Sequence, residues 1–383
     1  MKKIRACFII TDAMSYDLLC RGQFEYFRSR ANLDLTLICG GKGKDLEILG
    51  SRNLGRVLNI GLVRRPSLWR DVLSSVRLIA HFFANRYDLV VYSTPKALLL
   101  GSLSAWLTGQ PKRIAIIRGR VYENFSGIKR SLYTSFDYLA CRVSHRTLFI
   151  SASLRSIFIQ ERIVTKEKSE VIANGSSNGI DVTRFNRATI NRDKLFYYKE
   201  LFQLSDSDFV IITVGRICVD KGIADIAQIA DNISLPQVKF IFVGDIEDKA
   251  SERILHKLKA RPNIFHLAAT TDIPELFAIS DLHLFLSHRE GFGNVAIEAA
   301  ACEVPTFAFD VVGVRDSVAE GISGSRFDPH DINSIISSIH KAANNKALFK
   351  TKYKNSRTWA IQNFSNKTVW DDYLRLYARI LSR

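Results

Sequence analysis

The stretch DLHLFLSHREGFGNVAIEAAACEVPTFAFD, residues 281–310, contains the pattern that decides the fold. An apolar run ends at Ser287, a loop with two glycines follows, and helical spacing begins near Asn294. A second apolar run, VPTFAFD, closes the stretch. Short apolar runs of this kind, separated by a helical segment, predict parallel strands that are covered on both faces.

The same alternation extends along the whole chain, whose 383 residues are too many for one typical core. Further apolar runs are RACFIIT, LDLTLICG, RVLNIG, DLVVYST, RIAIIRG and TLFIS in the first half, and FVIITVG, VKFIFVG and NIFHLA in the second. Two such series predict an α/β protein with two doubly wound domains, in which ligands bind beyond the carboxyl ends of the strands. We place the domains at residues 1–165 and 166–365, with the polar segment 185–208 as a link and a terminal helix at about 366–383 packing back on the first domain.

Charge is divided unevenly between the two halves. Residues 1–165 hold 26 Lys and Arg against 11 Asp and Glu, whereas the remainder holds 28 against 27. A basic half predicts an anionic partner, either nucleic acid or an acidic membrane surface, and no recognised nucleic-acid module accompanies it. The six cysteines show no C-x-x-C pairing, and the apolar stretch after MKKIR is too short for a signal peptide. We therefore expect a cytoplasmic protein without a membrane span, and no binding of nucleic acid.

Two glutamates flank the glycine-containing loop. Glu290 precedes Gly291 and Gly293, which have no Cβ to keep a ligand away from the backbone. A helix that starts near Asn294 points its positive end at the loop, which suits a phosphate. Glu298 lies one turn later on the same helical face, where it can accept hydrogen bonds from two vicinal hydroxyls while Glu290 reaches the group beyond them. The alternative is that Glu298 is an ordinary helix residue in a salt bridge.

This stretch resembles the E-x7-E signature of the family 4 retaining glycosyltransferases, which have the GT-B fold of two Rossmann-like domains facing across a cleft. The resemblance implies that Glu290 contacts the donor sugar and Glu298 the nucleotide ribose. The stretch FVIITVGRICVDKG is similar to a second family element, which assigns Arg216 and Lys221 to the donor diphosphate. Two cations there are what an enzyme without a metal needs to stabilise a departing diphosphate. The other residues that the resemblance places near the donor are Gly215, Gly244, Gly291, Phe292, Gly293, Asn294 and Gly313.

Three more stretches, STPKA, RGRVYENFSGIKR and GSSNGIDVTRF, resemble the branch of this family that builds bacterial surface polysaccharides on undecaprenyl diphosphate. This resemblance implies a nucleotide-sugar donor, with UDP as the nucleotide, and an acceptor linked to polyprenyl diphosphate. It also implies that the enzyme uses no metal and no other cofactor. The expected place of action is the inner face of the cell membrane, with the protein bound peripherally.

The first half departs from the family at one position. Many members have a histidine where this chain has Arg118, and a guanidinium stays protonated, so it can bind charge but cannot carry a proton. Glu123 is either a carboxylate on the acceptor side or a plain surface residue. Lys96 either meets an acceptor diphosphate or is simply solvated.

The segment RRPSLWRDVLSSVRLIAHFFANR, residues 64–86, contains five arginines together with leucines and aromatic residues. Such a helix can lie in the interface of an anionic bilayer. It can equally pack its apolar side on the sheet and turn its arginines to water. Both arrangements can hold at different depths.

The sequence contains little that favours metal binding, and two other functions are compatible with parts of it. Asp206 and Asp208 form a D-x-D pattern, but they precede a strand in a polar link where turn residues are normal, and the histidines lack metal-ligand spacing. An epimerase or hydrolase of nucleotide sugars would share the fold and the phosphate site. A binding protein for membranes or nucleic acid would use the basic half alone, yet the acidic pair lies in the neutral half.

Overall fold

The computed structural model describes residues 3–382, which form two compact units. The first unit spans Met1–Asn178 and Asn366–Arg383, and the second spans Gly179–Ser365. Across residues 3–382, no helix is both long enough and apolar enough to cross a membrane.

The first unit is built on a seven-stranded, fully parallel sheet with the order β3-β2-β1-β4-β5-β6-β7. The strands are β1 (Ile4–Asp12), β2 (Leu33–Gly40), β3 (Arg56–Asn59), β4 (Leu89–Ser93), β5 (Arg113–Ile117), β6 (Arg146–Phe149) and β7 (Ser169–Val171). The helices between them are α1 (Ala13–Leu19), α2 (Gln23–Arg30), α3 (Lys44–Ser51), α4 (Leu68–Ala84), α5 (Ser102–Leu107), α6 (Gly127–Val143) and α7 (Ala152–Gln160). Parallel neighbours are joined by right-handed crossovers, so helices cover both faces of the sheet and its central strands are buried.

The second unit repeats this plan with six parallel strands in the order β10-β9-β8-β11-β12-β13. Its strands are β8 (Phe209–Val214), β9 (Val238–Val243), β10 (Ile264–Leu267), β11 (Leu282–Phe285), β12 (Thr306–Phe309) and β13 (Gly324–Phe327). Its helices are α8 (Arg192–Leu201), α9 (Ile223–Asn232), α10 (Lys249–Leu258), α11 (Ile273–Ala278), α12 (Asn294–Ala301), α13 (Val314–Ser317), α14 (Ile332–Asn344), α15 (Lys346–Lys352) and α16 (Ser356–Phe364). The side chains of the strands and of the covering helices form a continuous apolar core.

The last helix, α17 (Asn366–Leu381), belongs to the first unit. It packs on α2, where the ring of Trp370 lies 5.2 Å from that of Tyr26 and Tyr377 meets Phe27 at 6.1 Å between centroids. The terminal helix therefore lies where the sequence places it.

The fold class predicted from the sequence is confirmed, since both units are doubly wound parallel sheets. The division between the units follows Asn178 rather than residue 165, because β7 adds one more strand to the first sheet. The polar segment 185–208 contains α8 and lies inside the second unit. The short, partly polar strands β7 and β13 do not stand out as apolar runs.

Candidate active site

The predicted donor residues gather at the point where the strand order of the second sheet reverses. Strands β8 and β11 are neighbours there, although two strands of the other half of the sheet, β9 and β10, separate them in the chain. Arg216 and Lys221 follow the carboxyl end of β8, and Glu290 follows that of β11. Ligands of doubly wound sheets bind at such reversal points.

Lys221 and Glu290 form an ion pair, with each side chain about four-fifths buried. Lys221 ends a short 3-10 turn, Val219–Lys221, and its Nζ also lies 3.3 Å from the Ser287 hydroxyl. The Glu290 carboxylate thus already pairs with Lys221, the cation that the sequence assigns to a diphosphate. An incoming phosphate would compete with Glu290 for Lys221 and would free the carboxylate for another hydrogen bond.

The loop that bears Glu290 is fastened to the segment that bears Lys221. Arg289 donates to Asp220 at 2.7 Å, and His288 Nε2 lies 2.7 Å from the Asp225 carboxylate. The His288 backbone N–H also donates to the Asp220 carbonyl at 2.9 Å. These contacts join the two loops, so the backbones that carry Glu290 and Lys221 lie side by side.

Glu298 lies on α12, one turn from Asn294, in the position expected from the sequence. Burial raises the pKa of its carboxyl from 4.5 to about 7, and the nearby Arg184 opposes this rise. Within residues 3–382 its carboxylate makes no hydrogen bond and no ion pair, so the salt-bridge alternative is not what the structure contains. The residue is partly exposed, so its carboxylate oxygens are available to a ligand that donates hydrogen bonds.

The N-terminus of α12 follows Gly293, which has a φ of 89° and, within the described chain, supplies no side-chain cap. The neighbouring Phe292 is 2% exposed, and its ring lies 5.3 Å from that of Phe364. Phe292 is therefore a core residue that anchors the loop rather than one that faces a ligand.

The glycines of the site serve two purposes. A Cβ on Gly244 would lie 1.9 Å from the Gly215 carbonyl oxygen, and one on Gly313 would lie 2.5 Å from the Glu290 carbonyl oxygen. These two glycines let neighbouring segments of the chain touch. At Gly215 a Cβ would meet nothing within 4 Å, so this glycine leaves open space at the end of β8.

Arg216 lies at the rim of the site, where it forms an ion pair with Glu247 and remains about half exposed. It can turn toward a ligand at low cost, because a surface ion pair contributes about 0–1 kcal/mol. Arg184, which the sequence reasoning did not single out, lies within electrostatic reach of Glu298. Arg184 belongs to the stretch GSSNGIDVTRF, and its place in that family-like stretch was the only feature of the sequence that could have pointed to it.

The predicted residues of the first unit form a separate group at the end of β5. The Nη2 of Arg118 lies 3.6 Å from the Cys20 sulfur, while its Nε and Nη1 are buried and, among the described residues, have no acceptor. Glu123 accepts from Arg120 at 2.9 Å, and Arg120 also donates to Glu161 at 2.9 Å. Glu123 is therefore a partly buried member of an ion-pair network around the buried Arg120, and not a plain surface residue.

Arg120 was missed by sequence reasoning, because nothing in the string RGR distinguishes a buried arginine from an exposed one. Lys96 is also engaged, since its Nζ lies 2.5 Å from Asp71 and 2.6 Å from the Arg65 carbonyl oxygen. This position is neither solvated nor directly available to a ligand.

The D-x-D segment is a turn. Asp208 accepts from the Ser205 backbone N–H at 2.7 Å, and the exposed Asp206 pairs with Lys199 at 3.1 Å. Over residues 3–382, no group of three His, Cys, Asp or Glu side chains is arranged to hold a metal ion.

Comparison with known proteins defines the class. Residues 28–183 match the family model described as Glycosyltransferase Family 4, and residues 198–359 match Glycosyl transferases group 1. The chain is 30% identical over 385 residues to a curated relative in which all of this chain and 98% of the relative align. The chain therefore belongs to the family 4 glycosyltransferases, and the family predicted from the sequence is confirmed.

That relative is the capsular polysaccharide biosynthesis glycosyltransferase CapM of Staphylococcus aureus. A second is the UDP-Gal:alpha-D-GlcNAc-diphosphoundecaprenol alpha-1,3-galactosyltransferase of Escherichia coli, at 25% identity over 87% of this chain and 85% of the relative. Among solved structures, Anabaena Alr3699/HepE in complex with UDP and glucose superposes with a TM-score of 0.82 at 20% identity, covering 98% of this chain and all of that one. This last similarity establishes the GT-B fold class.

Proposed function

We propose that this glycosyltransferase moves a sugar from a UDP-sugar to a glycan linked to undecaprenyl diphosphate, with retention at the anomeric carbon and without a metal ion. The proposed setting is the assembly of a bacterial surface polysaccharide such as a capsule or O-antigen. The Staphylococcus and Escherichia relatives support this setting, because the name of the first specifies capsular polysaccharide biosynthesis and that of the second specifies a diphosphoundecaprenol acceptor.

One observation carries the proposal: the partly buried Glu298 carboxylate, which has no hydrogen-bond or ion-pair partner among residues 3–382, lies on the helix whose N-terminus follows the loop of the Lys221–Glu290 pair. A nucleoside diphosphate sugar has complementary groups in the same order. Its ribose hydroxyls would donate to Glu298, and its diphosphate would meet the helix N-terminus and Lys221. Its sugar hydroxyls would then reach Glu290, which the diphosphate has displaced from Lys221.

In the proposed reaction, the bond between the anomeric carbon and the diphosphate oxygen breaks, and its electron pair leaves with the diphosphate. The acceptor hydroxyl forms the new bond on the same face of the sugar, and its proton passes to the departing diphosphate oxygen. Lys221, Arg216 and the α12 N-terminus stabilise the growing negative charge, which is the largest single contribution available to such a site. Glu290 orients the sugar.

The acceptor is assigned to the first unit. Arg118 has unsatisfied donors that suit an oxyanion, and Glu123 borders the same loop after β5. Because the acceptor carries a polyprenyl lipid, we place the reaction at the inner face of the cell membrane, with the protein bound peripherally.

Thermal unfolding with UDP, GDP, ADP and CMP tests the donor assignment. A ligand at a hundred times its dissociation constant adds about 2.7 kcal/mol of stability. We expect UDP to stabilise the wild type and to lose most of that effect in Glu298→Ala, while the exposed control Glu200→Ala behaves as wild type. A response to none of the nucleotides, or an equal UDP response in both variants, contradicts the donor site. Release of free sugar from the UDP-sugar without transfer to the lipid-linked acceptor would instead identify a hydrolase.

A further inference from the structure

Helix α4 is apolar on two opposite sides. Leu78 and Phe82 are fully buried in the first unit, as expected of an amphipathic helix. The opposite side carries a second set of large apolar side chains at helical spacing, which we call the outer stripe: Trp69, Val72, Leu73, Val76 and Phe83. Trp69 is 84% exposed and Phe83 is 71% exposed. The rest of the unit covers the inner side of α4, whereas the outer stripe is exposed to solvent.

Two neighbouring helices extend this apolar surface. Helix α5 packs against both α4 and α6, and it exposes Trp106 and Leu107 at its end. Helix α6 exposes Ile128, Leu132 and Leu139 at helical spacing on the side away from its buried residues. The three helices connect strands that advance in one direction across the sheet, so right-handed crossovers place them on the same face. This face of the unit is therefore apolar over three helices, beyond the scattered exposed residues that are normal.

The charge of this unit indicates what covers the face. Its sequence holds 32 Lys and Arg against 15 Asp and Glu, a net charge of +17, whereas the second unit has a net charge of −1. The exposed Arg65 and Arg70 lie at the start of α4, and the exposed Arg142 lies near the end of α6. An apolar surface bordered by arginines matches the interface of an anionic bilayer, where acyl chains meet negative head groups.

We propose that the outer faces of α4, α5 and α6 form one membrane-docking surface for an anionic bilayer. This inference deepens the proposed function, because it rests on an acceptor that stays in the membrane. The outer stripe, Trp106 and Ile128 enter the head-group region, and the arginines contact anionic lipid. Leu78 and Phe82 keep their packing role, so both readings of segment 64–86 apply, each to its own side of the helix.

Vesicle sedimentation of the full chain tests the surface directly. We expect binding to vesicles of phosphatidylcholine with phosphatidylglycerol, and much weaker binding to phosphatidylcholine alone. The pair Arg65→Gln with Arg70→Gln is expected to weaken binding about thirtyfold, since each basic residue contributes about fivefold. The pair Trp69→Ser with Phe83→Ser is expected to weaken it by about tenfold or more.

Matched control variants remove two positive charges or two apolar side chains from positions outside the docking surface. Lys42→Gln with Lys44→Gln takes two exposed charges from the start of α3 and the loop before it, and Phe196→Ser with Leu348→Ser takes two exposed apolar side chains from the second unit. Both controls should bind as wild type does. Vesicle binding that is unchanged in both surface variants overturns the proposal. So does a wild-type dimer that Trp69→Ser with Phe83→Ser dissociates while vesicle binding persists.

Transfer assays with two acceptors distinguish a failure of the docking surface from a failure of the proposed function. With a short-chain, water-soluble acceptor, the surface variants should transfer sugar as fast as wild type, and with the full-length acceptor in vesicles they should be slower by the factor lost in binding. If wild type transfers to neither acceptor, the proposed function fails while the sedimentation result stands. If the variants equal wild type on the vesicle-embedded acceptor, the docking surface fails while the proposed function stands.

Discussion

Replacing Glu298 by glutamine should remove a pH dependence from nucleotide binding. Hydrogen bonds from the ribose hydroxyls favour the charged carboxylate, so a nucleotide should bind the ionised form. Burial raises the pKa of this group to about 7 in the free protein, so the carboxylate is fully ionised only above that value. The affinity of wild type for UDP should therefore fall about tenfold between pH 8 and pH 6, and Glu298→Gln should lack this component.

Calorimetric titration with UDP at pH 6, 7 and 8 measures the effect. The terminal phosphate of UDP also titrates near pH 6, but this contribution is common to both proteins, and the difference between them isolates Glu298. At pH 7, wild type should also release about half a proton on binding, seen as a dependence of the heat on the buffer, and the variant should not. Parallel pH profiles for wild type and Glu298→Gln would refute the reasoning.

The raised pKa of Glu298 also makes the free energy of unfolding depend on pH, in a direction that can be predicted. The folded carboxyl has a raised pKa, so between about pH 4.5 and pH 7 the folded state binds a proton that the unfolded state has lost. Stability should consequently fall as the pH rises through this window, by at most about 3 kcal/mol. Urea unfolding of Glu298→Gln should show a flatter profile over the same range.

Lys221→Met should weaken UDP binding about 10- to 100-fold, because a charge-assisted hydrogen bond contributes about 1.5–3 kcal/mol, and it should leave uridine binding unchanged. Competition titrations with both ligands check this, and an equal loss for uridine would show that the substitution disturbs the Glu290 loop rather than the diphosphate contact. Gly244→Ala should destabilise the protein by about 2–4 kcal/mol, because the new Cβ would collide with the Gly215 carbonyl oxygen. The matched control Gly321→Ala, also at positive φ but with nothing within 4 Å, should cost only about 1–2 kcal/mol in urea unfolding, and equal costs would contradict the collision argument.

The fold was predictable because most of its strands are recognisable in the sequence as short apolar runs. Runs such as DLVVYST and FVIITVG are apolar throughout, as strands buried on both faces must be, and each is a strand in the structure. Strands β7 and β13 escape this signal, since SEV and GSRF are short and partly polar and pair only at an edge of the sheet. Because β7 was not recognised as a strand in the sequence, the predicted boundary between the two domains was placed before it.

The sequence predicted which candidate residues would lie near one another, but it did not predict their contacts. Spacing brought Glu290 and Glu298 to one helix end, and strand order brought Lys221 beside them. The sequence did not indicate that Lys221 pairs with Glu290, because that contact depends on how two distant loops meet. Phe292 and Arg120 illustrate the same limit, since burial decides the role of each and burial follows from the tertiary structure.

The most direct measurement is the reaction itself. Purified wild type is incubated with an α-linked UDP-sugar and an undecaprenyl-diphosphate-linked acceptor in the presence of a chelator, and the anomeric configuration of the product is read by NMR. The account predicts an α-linked product that forms equally with and without the chelator and is lost in Glu290→Gln, which should retain UDP binding. A β-linked product, dependence on a divalent cation, or full activity of Glu290→Gln would contradict it.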